Sequence, residues 1–300
     1  MTTVAILGCG YVGLELGKQL QSAGIERVVG LRRSKKGVSA MESAGIEPVQ
    51  GDLTDEETLT TIPDADIVVF AASAGRSSST TAREIYVAGQ KQVLNHFGSR
   101  ENPPERYIYT SSTGVYGDHG ESWVDEETPL EPESEREQAL VDAETVAIDG
   151  AAEYDIDGTV ARFSGLYGPD RYRLERYLEG PVTDGILNMI HRDDAAGAVG
   201  HIVSEDCARG EVVLVVDNEP VSKWELADWL ATECNRQTPS KQTKSERLAE
   251  VESAGAKRRI RADKRCRNDK LQSLGYELVY PTFREGYQKA IMEYPTSQSE

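Results

Sequence analysis

The sequence predicts an α/β fold: a doubly wound parallel sheet followed by a smaller C-terminal lobe. Three observations lead there. Short continuous apolar runs alternate with segments of helical periodicity, a glycine-rich loop joins the first run to the first helix, and the alternation loosens only after Gly168-Pro169. Continuous apolar strands separated by helices indicate a parallel sheet covered on both faces. Right-handed crossovers make the doubly wound topology the default.

The elements follow in order. Val4-Ala5-Ile6-Leu7 is the first strand, with a helix over about 11–23. Arg27-Val28-Val29-Gly30-Leu31 is the second strand, with a helix near 38–44, and Glu47-Pro48-Val49-Gln50 is a short third strand. Asp66-Ile67-Val68-Val69-Phe70 precedes a long helix over about 81–97. Arg106-Tyr107-Ile108-Tyr109-Thr110 precedes an acidic loop and a helix over about 134–150, and a strand over 157–162 closes the series. Beyond it, a strand over 212–216 and a helix over 222–233 form another βα pair, with Trp224 and Trp229 expected to pack the lobe. The stretch 241–267 is polar and basic, and 271–292 reads as a short strand with a final amphipathic helix. The expected division is 1–165 for the sheet domain and 166–300 for the lobe, with 193–216 packing back onto the first unit.

Composition narrows the function classes. Of 300 residues, 38% are hydrophobic, enough for a core, and 51 acids against 33 bases give a net charge of -18. That charge repels nucleic acid and anionic membranes, and dispersed acid also suits a protein adapted to high salt. The basic run from Lys257 to Arg267 lacks interleaved aromatics and reads as a solvated or self-pairing face, or one facing a phosphate-bearing substrate. Cys9, Cys207, Cys234 and Cys266 lie far apart, so neither a zinc site nor a disulfide framework is expected, and the acidic loop 121–137 lacks calcium-loop spacing. The chain opens directly into a strand, and no run approaches the roughly 18 apolar residues of a membrane span. The expectation is a cytoplasmic protein with a small-molecule substrate and no metal.

Gly8-Cys9-Gly10-Tyr11-Val12-Gly13 is a GxGxxG loop between strand and helix. Gly8 permits the tight turn, Gly10 lets backbone approach a pyrophosphate, and Gly13 lets helix and strand pack closely. The helix N-terminus then offers free N–H groups to phosphate, as in a Rossmann fold. About 20 residues on, an NAD site places an acid on the ribose. This chain has Leu31-Arg32-Arg33-Ser34 there. Guanidiniums and a hydroxyl suit a 2′-phosphate, which favours NADP over NAD.

These motifs, with those that follow, resemble the extended short-chain dehydrogenase/reductase superfamily, in its epimerase/dehydratase group and the atypical branch with GxGxxG. Gly51-Asp52-Leu53 matches the pair beside the adenine, and Phe70-Ala71-Ala72 the strand end along the cofactor. Residues 110–117 match the SSxxVYG segment and carry Ser111, Ser112 and Tyr116. Residues 162–169 match RxxxxYGP and include Phe163, and 188–194 resemble the IHxDD segment around His191. The resemblance implies that Gly8, Gly10, Tyr11, Val12, Gly13, Arg32, Arg33, Asp52, Leu53, Ala71, Ala72, Ser111 and Phe163 hold the dinucleotide. It also implies a homodimer face on the helices over 81–97 and 134–150.

The sequence departs from the family at its catalytic YxxxK. Arg136 stands in the tyrosine position and Leu140 in the lysine position, with Glu144 in the expected later place. Arginine stays protonated and cannot act as a general base. The remaining candidates are Ser112, as a hydrogen-bond partner of the reacting oxygen or only a capped strand end, and Tyr116, as a substitute acid with Arg136 beside it. His191 is a further proton carrier, or a structural tie to Asp193 or Asp194, and Arg136 is alternatively a clamp for an anion. Three readings stay open: an oxidoreductase or epimerase with a rearranged acid–base set, a non-catalytic NADP(H) sensor, and a scaffold that binds no nucleotide.

Overall fold

The computed structural model describes residues 2–74 and 81–295. Seven parallel strands form its main sheet: β1 (Thr3–Leu7), β2 (Arg27–Arg32), β3 (Glu47–Gln50), β4 (Ile67–Phe70), β5 (Arg106–Ser112), β6 (Asp157–Phe163) and β7 (Glu211–Val215). Their order is β7-β6-β5-β4-β1-β2-β3, so the winding reverses between β1 and β4. In open α/β sheets the crevice at such a reversal, at the carboxyl ends of the strands, is where ligands bind. Pro48, which has no N–H to donate, lies on the edge strand β3, where the ladder tolerates it.

Alternating side chains feed two cores. Ala5, Leu7, Val68, Phe70, Tyr107 and Tyr109 point to one face, while Val4, Ile6, Ile67, Val69 and Ile108 point to the other. The first face is covered by helices Gly89–Gly98 and Glu135–Thr145, each adjoining a π-helical turn, Glu84–Ala88 before the first and Val146–Gly150 after the second. The second is covered by α1 (Tyr11–Ser22) and by Arg192–Ser204, through Leu16, Leu20, Val199 and Ile202. Both faces are covered by apolar side chains, which is why the inner strands read as continuous apolar runs.

A third cluster builds the small lobe, where Leu226 and Leu230 of helix Lys223–Glu233 meet Phe283 and Tyr287 of helix Phe283–Glu293. Trp229 packs edge-on against Phe283, and the Trp224 indole donates to the Val182 carbonyl. Leu271, read from sequence as strand, lies instead in a short helix, Asp269–Ser273. It is buried in the second core with Leu274 packed beside it, and that three-residue spacing suits one helical face.

The polar stretch over 241–267 contains two helices, Lys244–Glu250 and Ala254–Arg261, and it turns its charge inward on the chain. Arg258 pairs with Glu137 at 3.4 Å and Arg265 with Glu121 at 3.1 Å, and Lys264 donates to the Gly117 carbonyl. Strand Arg265–Cys266 pairs with Trp123–Val124, joining the basic run to the acidic loop.

Candidate active site and cofactor cleft

A cleft of about 500 Å³ opens at the carboxyl ends of β1, β2, β4 and β5. Every residue expected from sequence to hold the dinucleotide lines it, together with Ser112, Tyr86, Leu140, Ser164 and Arg171. The chemistry present fits a dinucleotide. α1 follows the N-cap Gly10 with no side chain capping its first turn and no acid in it, so its N–H groups are open to an anion. A Cβ on Gly8 would stand 2.4 Å from the Ala72 Cα, at a φ of +89°, so only glycine allows β1 and β4 to end this close together. The Ser164 hydroxyl is buried on the cleft wall without a hydrogen-bond partner among the described residues, a donor left for a ligand.

The end of β2 divides its two arginines. Arg33 leans 3.5 Å from Asp52, which also accepts from the Thr54 N–H and hydroxyl. Burial opposes the Asp52 charge, but these hydrogen bonds and Arg33 outweigh it and hold the carboxyl below its usual range. Arg32 has no carboxylate partner among the described residues, and a Cβ on Gly10 would lie 2.6 Å from its Nη1. Its guanidinium therefore lies across the glycine loop. Ser34 caps helix Lys35–Ser43 by accepting from the Gly37 N–H.

Ser111 and Glu144 belong to a buried network. The Ser111 hydroxyl donates to Glu144 at 2.6 Å, and Arg162 meets the same carboxylate through Nε and Nη2. Burial works against the Arg162 charge, yet the Glu144 hydrogen bonds and charge hold the guanidinium above its ordinary pKa. This network ties β5, helix Glu135–Thr145 and β6 together beneath the cleft.

Two of the candidate acid–base groups are corrected by this geometry. Tyr116 is fully buried; its hydroxyl donates to the Asp125 carbonyl at 2.7 Å and accepts from Arg162 Nη1 at 2.7 Å. Burial pushes this phenol far above its ordinary pKa, and it does not line the cleft. Its cationic neighbour is Arg162, not Arg136. His191 is also buried, outside the cleft lining, with its ring against Tyr280 and Tyr167. Its Nδ1 accepts from the Asp193 N–H and so caps helix Arg192–Ser204, which is a structural role.

Burial lowers the His191 pKa from 6.5 to about 4, with Asp193 opposing and Arg192 assisting. The folded state favours the neutral ring, so this contribution is complete above pH 6.5 and lost as pH falls toward 4. His191→Asn keeps a capping side chain and does not titrate. Its unfolding free energy should fall less than that of the parent across this window, by up to about 3 kcal/mol in urea titrations. Parallel pH profiles would refute the assignment.

Ser112 lies at the end of β5, half-buried in the cleft wall. It accepts from the Gly114 N–H and keeps its own O–H without an acceptor among the described residues. Arg136 projects toward Tyr86, donating to its hydroxyl at 2.9 Å. Leu140 places an apolar side chain on the cleft wall. Sequence reasoning missed Tyr86, Ser164 and Arg171. Arg171 stacks 3.9 Å above the Tyr11 ring, whose hydroxyl donates to the Pro169 carbonyl. Ser164 follows Phe163 inside the 162–169 segment, which could have flagged it, whereas no motif spacing marks Tyr86 or Arg171 and long-range contacts bring them in. Among the described residues there is no metal-ligand cluster, the four cysteines are free, and no helix is long and apolar enough to cross a membrane.

Comparison with known proteins agrees with the geometry. A functionally unknown conserved protein from Silicibacter pomeroyi is 25% identical, with TM-score 0.77 over 97% of this chain and 98% of its own. A protein from Methylobacillus flagellatus, assigned to the NAD-dependent epimerase/dehydratases, is 28% identical, with TM-score 0.75 over 97% of each chain. A dTDP-glucose 4,6-dehydratase from Bacillus anthracis, solved with NAD, has TM-score 0.79 over 97% of this chain and 96% of its own; at 17% identity it is alike in fold alone. No curated protein matches the sequence. The profile of the NAD dependent epimerase/dehydratase family matches residues 4–220, and the chain belongs to that family.

Proposed function

We propose that the chain is an NADP-dependent oxidoreductase or epimerase acting on a small substrate with a non-standard acid–base set. The observation that carries this reading is Arg32, whose guanidinium lies across Gly10 at the end of β2 with no carboxylate partner among the described residues. An unpaired guanidinium beside a helix N-terminus suits the extra phosphate of NADP. Arg33, half-engaged by Asp52, borders the same pocket. A bound nicotinamide supplies hydride transfer, and the protein has to orient the substrate and move one proton. Ser112 presents a free O–H to the reacting oxygen, and Ser164 presents another donor to the ligand.

Calorimetric titration with NADP and with NAD, at high and low salt, tests this. NADP should bind at least about tenfold more tightly, and Arg32→Asp should reverse the preference by a similar factor. Equal affinities in the parent protein, or a preference that Arg32→Asp leaves unchanged, would remove the argument from Arg32. The apolar Leu140 in the cleft favours a second reading, a non-catalytic NADP(H) sensor. Under it, cofactor changes a surface or assembly state with no substrate present, whereas for the enzyme Ser112→Ala abolishes turnover while leaving NADP affinity nearly intact.

A further inference from the structure

Two tyrosines line the cleft, Tyr11 and Tyr86. Tyr11 commits its proton to the Pro169 carbonyl. Tyr86 does the reverse: its oxygen accepts from the Ala74 N–H at 3.2 Å and from Arg136 Nη2 at 2.9 Å, and its own O–H has no acceptor among the described residues. Both lone pairs are thus occupied by donors, and the proton is left over. Tyr86 is 5% exposed, and it is carried by the π-helical turn Glu84–Ala88, a distortion that often accompanies function.

We propose that Tyr86 is the proton donor and acceptor of this site, replacing the tyrosine absent from position 136, with Arg136 as its positioning cation. The inference rests on the dinucleotide reading above. Arg136 and Leu140 occupy the two altered positions on one helix, Glu135–Thr145. Leucine supplies no charge, while the arginine one turn earlier reaches across to a tyrosine on a different segment, its guanidinium 5.5 Å from the ring centroid. A phenol–cation pair is present, but on other positions: the phenol comes from the helical segment after β4, and the cation from the position where the family has its phenol.

The chemistry balances. In the reducing direction the substrate carbonyl carbon accepts hydride from the reduced dinucleotide, and the electron pair of the C=O π bond moves onto oxygen. That oxygen takes the Tyr86 proton, giving the alcohol. The phenolate left behind meets two donors already in place, Arg136 and the Ala74 N–H, and water reprotonates it. In the oxidising direction the same atoms run backward. Ser112, which lines the same cleft, offers the second hydrogen bond to the reacting oxygen.

The test uses the full chain loaded with NADP, and trifluoroethanol as a mimic of the reacting alcohol. Fluorine NMR reads trifluoroethanol affinity, and a fluorotyrosine at position 86 gives a second signal from the residue itself. NADP affinity, by calorimetry, should change less than about threefold in Tyr86→Phe, Arg136→Leu and Arg136→Lys. Trifluoroethanol affinity should fall about tenfold in Tyr86→Phe and in Arg136→Leu, with partial recovery in Arg136→Lys, as expected for one lost hydrogen bond. The fluorotyrosine resonance should shift saturably with trifluoroethanol, which a merely structural tyrosine would not do. If NADP binds but the resonance stays still and Tyr86→Phe binds the alcohol as the parent does, the role of Tyr86 is overturned and the dinucleotide reading stands. If NADP fails to bind a folded parent protein, that reading falls first and this one with it.

Discussion

Glu144→Gln should destabilise the protein by about 3–5 kcal/mol in urea unfolding, although the two side chains are nearly isosteric. The cause lies in what is left behind. Arg162 is buried, and Glu144 accepts from two of its nitrogens while also accepting from Ser111. Removing the negative charge leaves the guanidinium uncompensated in the interior, with the neutral glutamine oxygen and the Tyr116 hydroxyl as its remaining side-chain acceptors and a glutamine NH2 facing it in place of the second carboxylate oxygen. The double variant Glu144→Leu with Arg162→Met removes both charges, so it should recover much of the loss. If the double variant is as unstable as the single one, the cost comes from packing or from Ser111 and not from the uncompensated charge. The measurement also separates stability from catalysis, because Glu144 lies beneath the cleft and does not line it.

Gly10→Ala should produce the opposite pattern. The new Cβ would sit 2.6 Å from Arg32 Nη1, the far end of a flexible side chain that can move aside, and Gly10 has a φ of −100°, outside the left-handed region. Stability should therefore change by less than about 1 kcal/mol. The added methyl nevertheless occupies the place where backbone must approach the pyrophosphate, and it displaces Arg32. NADP affinity should fall about 30- to 100-fold, or roughly 2–3 kcal/mol. A variant that binds NADP normally would mean that the phosphates do not cross Gly10.

Most of the sheet was legible because its inner strands are buried on both faces, unlike the exposed edge strand β3. A strand such as Ile67–Phe70 has no polar alternation and is bounded by turns, so length and flanks identify it. The glycine loop was legible because its chemistry is local: turn, approach and helix start lie within six consecutive residues. Leu271 was misread because a short apolar stretch does not distinguish strand from helix without its packing partners.

The acid–base groups were harder for a related reason. Tyr116 and His191 were suggested by motif position, yet what removes them is burial and partners, Arg162 and Asp125 for one and the tyrosine cluster for the other. Tyr86 carries no motif, and the role proposed for it depends on a contact with Arg136 across fifty residues of chain. The charged segments follow the same logic. From sequence the basic run reads as a solvated, self-pairing or phosphate-facing surface, and its acidic partner is identified only once strand Arg265–Cys266 lies beside Trp123–Val124.

The position of β7 bears on how this architecture can be recombined. Residues Glu211–Val215 complete the sheet beside β6, after the chain has already left to build part of the small lobe. The small lobe therefore cannot be exchanged between relatives by one crossover after β6. Such a chimera would inherit its outermost strand from the donor, and that strand must match the recipient's hydrogen-bonding register, Val212 against Val160 and Leu214 against Arg162. Viable exchanges would need to retain 192–215 from the parent and replace the segments on either side of it, so new specificities in this architecture should arise more readily by local insertion and point change than by wholesale transfer.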